Sequence, residues 1–366
     1  CAKKESSSGS SSSSATTSSS DDTSSSFSVS EITQTTGNGY TTGSFVVPSN
    51  AISFNLSIFN DNYSLVYFYS LTDPDSSNIL DNSSTPNLYA QTSGYGALSY
   101  GGGSMLVPYS SSFSAKAGTW SFIACNNDRV KLGLRTGSTP TSTAFTVQPY
   151  ITGTTWSASD ISAALTVMFN IYSANGITLI IKETITISES QYATVSYSFT
   201  NSTTSALVSQ GSKDTVNLFF VEDQASSETA LYGVSGGLPG PMGIASSWNG
   251  VLNFLYAHAT GSSLNSQLLG ETAAHEMGHW LGLFHTTEAN GTSFDPLSDT
   301  AQCSISRADE VDHNDNDTKV YPEDCVGYGA DNLMFWTAWS TSSQAAGKKQ
   351  ENLSREQQYI LKYSPI

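Results

Sequence analysis

The sequence predicts two folded units in series, an all-β sandwich followed by an α+β domain. Three observations carry that expectation. Residues 37–143 hold short β-branched or aromatic runs separated by turn chemistry, and no helical period survives there over a useful window. From about residue 144 the texture changes to apolar residues at helical spacing alternating with short strand-like runs. The chain has 366 residues, about two domains' worth at roughly 150 residues each.

Acidic side chains outnumber basic ones 31 to 14, for a net charge of −17, which argues against nucleic acid as a partner. Charged residues make up only 12% of the chain, against roughly 25% in an average soluble protein. Ser, Thr, Gly and Asn cover the surface instead, a composition more common outside cells. No continuous apolar run reaches the ~18 residues of a membrane-spanning helix. Residues 1–36 are dominated by Ser and Thr and offer too little apolar surface to offset their ordering entropy, so they read as a flexible tether. Cys1-Ala2-Lys3-Lys4-Glu5 ahead of the serine tract resembles the start of a mature bacterial lipoprotein. That resemblance implies lipidation at Cys1, a membrane anchor and a place in the cell envelope, at the outer membrane or cell surface.

Within the first unit, Phe45–Pro48, Ala51–Leu56, Leu65–Tyr69 and Lys131–Arg135 read as strands, and Asn60-Asp61-Asn62, Asp73-Pro74-Asp75 and Gly101-Gly102-Gly103 as turns. A sandwich buries such runs most naturally. Ala117–Phe122 resembles the closing strand of jelly-roll accessory domains on secreted bacterial proteases, and Cys125 at its end reads as an inert buried thiol. Thr136–Thr141 reads as the linker. Ile161, Leu165, Met168, Phe169 and Tyr172 then follow helical spacing behind a Ser157-x-x-Asp160 capping box, and Asn175-Gly176 stops that helix. Strands are expected at 177–187, Val216–Val221 and Val251–Tyr256, and a second helix from about Ser266. Gly236–Pro241 lacks the Lys-Ser/Thr ending of a phosphate loop and is a plain loop. Leu353–Leu361 carries a Ser-x-x-Gln capping box and should be a C-terminal helix. Cys303 and Cys325 flank a polar, turn-rich stretch, suited in an exported protein to a loop-closing disulfide.

The chemistry lies in His275-Glu276-Met277-Gly278-His279-Trp280-Leu281-Gly282-Leu283-Phe284-His285, which reads H-E-x-x-H-x-x-G-x-x-H. On a helix, His275 and His279 lie one turn apart on one face and reach a common ion. Glu276 departs roughly 100° around the helix, from where its carboxylate reaches a water beside the metal rather than the metal itself. A continuing helix would carry His285 about 15 Å along the axis, so the chain must reverse, and Gly282 supplies the left-handed residue that ends the helix. Three imidazoles leave a fourth position open, the arrangement of a catalytic zinc. Glu276 is then the general base.

The eleven-residue signature resembles that of the metzincin zinc endopeptidases, and Asp331–Trp336 resembles their Met-turn, with Met334 as the apolar floor under the histidines. The likeness is nearest to pappalysin-like members, which place a Cys-containing loop before an Asn-Leu-Met sequence; here that loop runs from Asp299 through Cys303 to Cys325. The resemblance covers about 144–366. It implies a zinc-dependent endopeptidase acting on peptide or protein substrates, with the peptide extended along an edge strand near Val251–Phe254. Several metzincins place a Tyr two residues after the Met; Trp336 stands there, so no phenol is assigned a role. Asp312, Asn314, Asn316 and Glu323 fill four ligand positions of an EF-hand-like loop, and pappalysin-like enzymes resemble calcium binders in this region. Asp317 stands where Gly is expected and no helical pattern flanks the loop, which favours an acidic, solvated loop over a Ca2+ site. His258, without a spacing relation to the motif, reads as a surface or core histidine. The rival to an enzyme is a surface adhesin or carbohydrate-binding lipoprotein whose protease module is vestigial. A second rival treats the sandwich as a latency domain seated in the cleft.

Overall fold

The computed structural model describes residues 25–37, 40–81, 98–225, 231–311 and 318–366. Cys1, and with it lipid attachment, lies outside the described residues, as do Asp312, Asn314 and Asn316. Ten strands come first: β1 (Ser25–Glu31), β2 (Gln34–Gly37), β3 (Tyr40–Val47), β4 (Ala51–Phe59), β5 (Leu65–Thr72), β6 (Asn78–Asp81), β7 (Leu98–Tyr100), β8 (Gly102–Val107), β9 (Gly118–Cys125) and β10 (Arg129–Gly137). They form two antiparallel sheets, β1-β10-β4-β8 and β2-β3-β9-β5-β6, with β7 also on β5. Alternate side chains fill the space between the sheets, where Phe54 meets Trp120 edge-on at 4.9 Å. The other face of β4 carries Ser53, Asn55 and Ser57, small polar residues that are nonetheless buried because the second half of the chain covers them.

Two expectations about this half are corrected. The tether was expected to reach residue 36, but β1 and β2 occupy 25–37. The reason is local: Phe27 lies in the space left by the missing side chains of Gly133 and Gly243, an apolar anchor inside a polar run. The segment likened to a closing strand, β9, is interior, paired with β3 on one side and β5 on the other.

The second half continues with β11 (Thr143–Thr152), α1 (Ser162–Ala174), β12 (Ile177–Ile181), β13 (Ile185–Ile187), β14 (Thr194–Val195), α2 (Ser202–Val208), β15 (Val216–Val221), β16 (Asp223–Gln224), β17 (Gly233–Ser235) and β18 (Val251–Phe254). Then come the hairpin β19 (Ala259–Thr260) and β20 (Ser263–Leu264), and helices α3 (Ser266–Trp280), α4 (Ile305–Val311), α5 (Thr341–Ala345) and α6 (Arg355–Lys362). The main sheet runs β12-β11-β15-β18-β17, parallel except for β17. Helices α1 and α3 cover one face, and a second apolar cluster containing Leu207 and Trp248 covers the other, which is why β15 and β18 are apolar almost throughout. Gly270 lets the two helices approach: a Cβ there would lie 2.6 Å from Ala164 O. Tyr172 donates to Ala274 O at 2.9 Å across the same contact.

Ser157 and Asp160 do not cap α1. They bond to each other in the turn ahead of it, at 2.7 Å from both the Ser157 amide and hydroxyl, and the helix starts at Ser162 without a side-chain cap. The expected substrate-binding edge at Val251–Phe254 is also corrected: β18 is interior and wholly buried, and the edge is β17, three residues long. Among the described residues, no helix is long and apolar enough to cross a membrane.

Candidate metal centre

Helix α3 begins where Asn265 accepts a hydrogen bond from the Leu268 amide, and it packs Leu269, Ala273 and Met277 into the core beneath the sheet. That register turns His275 and His279 to one side, their rings 4.6 Å apart. The helix ends in a Schellman motif: Gly282 N donates to His279 O and Leu283 N to Gly278 O, both at 2.9 Å, with Gly282 at φ 105°. The reversal brings His285 back. Its Nε2 lies 3.2 Å from His275 Nε2 and 3.0 Å from His279 Nε2.

Each imidazole is held by its other nitrogen. His275 Nδ1 donates to Leu333 O and His279 Nδ1 to Leu283 O, each at 2.7 Å, while His285 Nδ1 donates to Glu288 Oε2 at 3.1 Å. Because carbonyl and carboxylate oxygens only accept, the proton of each neutral ring sits on Nδ1. The three Nε2 atoms therefore face one point, where a cation between them would be held by all three. The ligand nitrogens of a tetrahedral zinc at about 2.05 Å would be roughly 3.3 Å apart, so the spacing fits that ion. Burial, with the adjacent His285 adding to it, pushes His275 down to about 3, and the same causes hold His279 well below its ordinary range. Both of these rings are thus in the neutral, ligating form at physiological pH.

Glu276 lines the same cleft as the histidines and packs against β17, where a Cβ on Gly233 would stand 2.7 Å from Glu276 Cγ. Burial raises its carboxyl to about 8, opposed by a hydrogen bond from the Ser235 backbone. One turn back, Thr272 Oγ1 is 2.9 Å from His258 Nε2, and His258 Nδ1 donates to Phe254 O at 2.7 Å. His258 is thus a buried core histidine, which burial pushes down to about 4.

Beneath the helix, Met334 Sδ occupies the space left by Gly278, where a Cβ would approach it to 2.6 Å. The turn that carries Met334 is tied on both sides. Thr286 N donates to Met334 O at 2.9 Å, and Asn332 Nδ2 donates to Gln357 Oε1 of α6 at 2.9 Å. Ser354 and Gln357 form the reciprocal capping box of that helix. Cys303 and Cys325 are disulfide-bonded. Glu323 Oε1 accepts from Ser340 N at 3.0 Å and from Ser343 Oγ at 2.7 Å, at the start of α5. Trp336 Nε1 donates to Val320 O at 2.6 Å.

A cleft of about 730 Å³ opens over the histidines. It is walled by α3, β17, Tyr197–Thr200, Phe335–Ala338 and, from the sandwich, Gly102–Ser104. Among the described residues its carboxylates are Glu271, Glu276 and Glu288, and no Lys or Arg lines it. Sequence reasoning missed Glu288, whose position three residues after His285 was the available signal. It also missed Gly233, in a strand too short to show a period, and the contribution of β8, which no local pattern announces.

No family model matches the chain. Sequence similarity is to metalloproteases and is local. An extracellular metalloprotease of Podospora anserina is 48% identical over 54 residues, 14% of this chain and 18% of that protein. An extracellular metalloprotease of Colletotrichum graminicola is 55% identical over 42 residues, 11% of this chain and 15% of that protein. The chain thus spans less than a fifth of the length of these curated relatives. Among solved structures, archaemetzincin from Methanopyrus kandleri aligns with a TM-score of 0.34 at 14% identity, over 62% of this chain and 98% of that one. Myroilysin aligns with a TM-score of 0.27 at 12% identity, over 63% and 87%.

Proposed function

We propose that the chain is a zinc-dependent endopeptidase that hydrolyses peptide bonds of extracellular proteins, with His275, His279 and His285 as zinc ligands and Glu276 as general base. The observation that carries this reading is the convergence of three Nδ1-protonated imidazoles, lone pairs inward, beside a buried carboxylate in an open cleft. Held by His275, His279 and His285, a zinc ion would supply Lewis acidity, for the scissile carbonyl and for a water near neutral pH.

The protein's own groups do the rest. An extended peptide lies along β17, the last strand of the sheet among the described residues, adding main-chain hydrogen bonds there. In its ionised form, which burial disfavours and a cation in the adjacent seat would favour, Glu276 takes one proton from the water as its oxygen bonds to the carbonyl carbon, and delivers it to the amine nitrogen as the C–N bond breaks. A pappalysin-like subtype is supported by the Cys303–Cys325 loop ahead of Asn332-Leu333-Met334. The strands β1 to β10, from Ser25 to Gly137, would then be the accessory sandwich, and β11 onward the protease domain. Glu276→Gln tests the reading: zinc binding should persist while cleavage of a peptide library falls by roughly 10²–10⁴, the range of general-base catalysis. Absence of cleavage by both proteins would favour the adhesin reading instead.

A further inference from the structure

The turn that brings His285 to the other two imidazoles is not anchored in its own half of the chain alone. Phe284, immediately ahead of His285, is buried among residues of the sandwich core. In return, Leu106 of β8 belongs to the apolar core of the metal-binding half, which also holds Met277, Trp280, Leu283 and Met334. The two are reciprocal plugs across one seam. A Cβ on Gly282 would lie 2.8 Å from Leu106 Cδ2, so the left-handed residue that reverses the chain rests directly on this sandwich leucine. A polar clamp runs beside it: Asn55 Nδ2 donates to Gly240 O at 3.3 Å, and Gly240 N donates to Trp280 O at 2.9 Å. The same turn serves two ligands, since Leu283 O orients His279 while His285 follows two residues on.

We propose that the sandwich is a working part of the metal centre: Leu106 and the pocket that takes Phe284 are positioning elements that hold the reversal at Gly282 and so place His285, and zinc affinity depends on a unit that supplies no ligand. The proposal rests on the reading of the three histidines as a zinc site. Its physical basis is that the Nε2 lone pairs meet only if the turn holds its place. Emptying either plug leaves a cavity into which the turn relaxes. Groups that orient ligands without touching the ion commonly govern affinity in this way.

The test uses the full chain. Leu106→Ala and Phe284→Leu are compared with Leu71→Ala, a buried sandwich residue on the opposite sheet. Zinc affinity is read by competition with a chromophoric chelator, and ligand geometry by the visible spectrum of the cobalt-loaded protein. The two seam variants should bind zinc about 10–100-fold more weakly, the usual effect of disturbing ligand-orienting groups, with an altered cobalt spectrum. Leu71→Ala should lower the melting temperature and leave affinity and spectrum unchanged. Wild-type affinity in both seam variants overturns the proposal, as does an equal loss in Leu71→Ala. If Leu106→Ala fails to fold, Leu106→Val carries the same comparison in milder form. Because cleavage is not the readout, a wild-type chain that binds zinc tightly but cuts nothing would sink the peptidase reading and leave this one standing.

Discussion

Gly233→Ala should silence the site without emptying it. Gly233 lies in β17 opposite Asn253, and its missing side chain is the space that Glu276 occupies. An added Cβ would stand 2.7 Å from Glu276 Cγ, and the two other directions are closed at 3.0 Å by Leu252 O and Thr272 Cγ2. Carbon atoms settle at about 3.5–4.0 Å, so the glutamate must give way by roughly 1 Å. A displacement of that size at a catalytic group costs about 10²-fold in rate. The histidines leave the helix on another side and keep their carbonyl and carboxylate partners, so zinc affinity should stay at the wild-type value. The assay is kcat/KM on a fluorogenic peptide beside a chelator titration of the same preparation. Full activity would refute the placement of Glu276 against β17. Joint loss of activity and zinc would refute the separation of base from ligands.

Three further outcomes follow from the same geometry. Gly278→Ala would drive a Cβ to within 2.6 Å of Met334 Sδ and should cost about 1–3 kcal/mol by overpacking, read as a lower denaturant midpoint. Replacing Cys303 and Cys325 together with Ser opens a closure of 22 residues and should cost about 3 kcal/mol, again by chemical denaturation; an unchanged midpoint would show the loop to be held by packing alone. Asp295 is buried with Oδ2 unpartnered among the described residues, and burial raises its carboxyl from 3.8 to about 7. The folded state therefore favours the protonated form, so this group's contribution is fully present below 3.8 and is lost as pH rises through about 7. Asp295→Asn should flatten the fall in melting temperature over that interval, and an unaltered slope would contradict the assignment.

What the residues announced in advance was chemistry with a fixed local geometry. The helix that carries His275 and His279, the glycine reversal at Gly282 and the Ser354–Gln357 capping box are each specified by residues within one or two turns of one another. What stayed hidden depends on partners distant in sequence. β17 is recognisable only through β18, β1 is ordered by the gap over Gly133 and Gly243, and Ser157 satisfies Asp160 instead of the helix. The edge expected at Val251–Phe254 failed because strand-forming texture does not tell an interior strand from a rim. The carboxylate behind His285 and the sandwich wall of the cleft belong to the same class.

The most direct measurement is the metal content of the purified full chain by elemental analysis, before and after His285→Ala. About one zinc per chain is predicted for the wild type, as for a site with three protein ligands, together with loss of tight binding in the variant. A wild-type chain without stoichiometric zinc after incubation with the metal, or a variant that retains it at full affinity, would contradict the three-histidine centre.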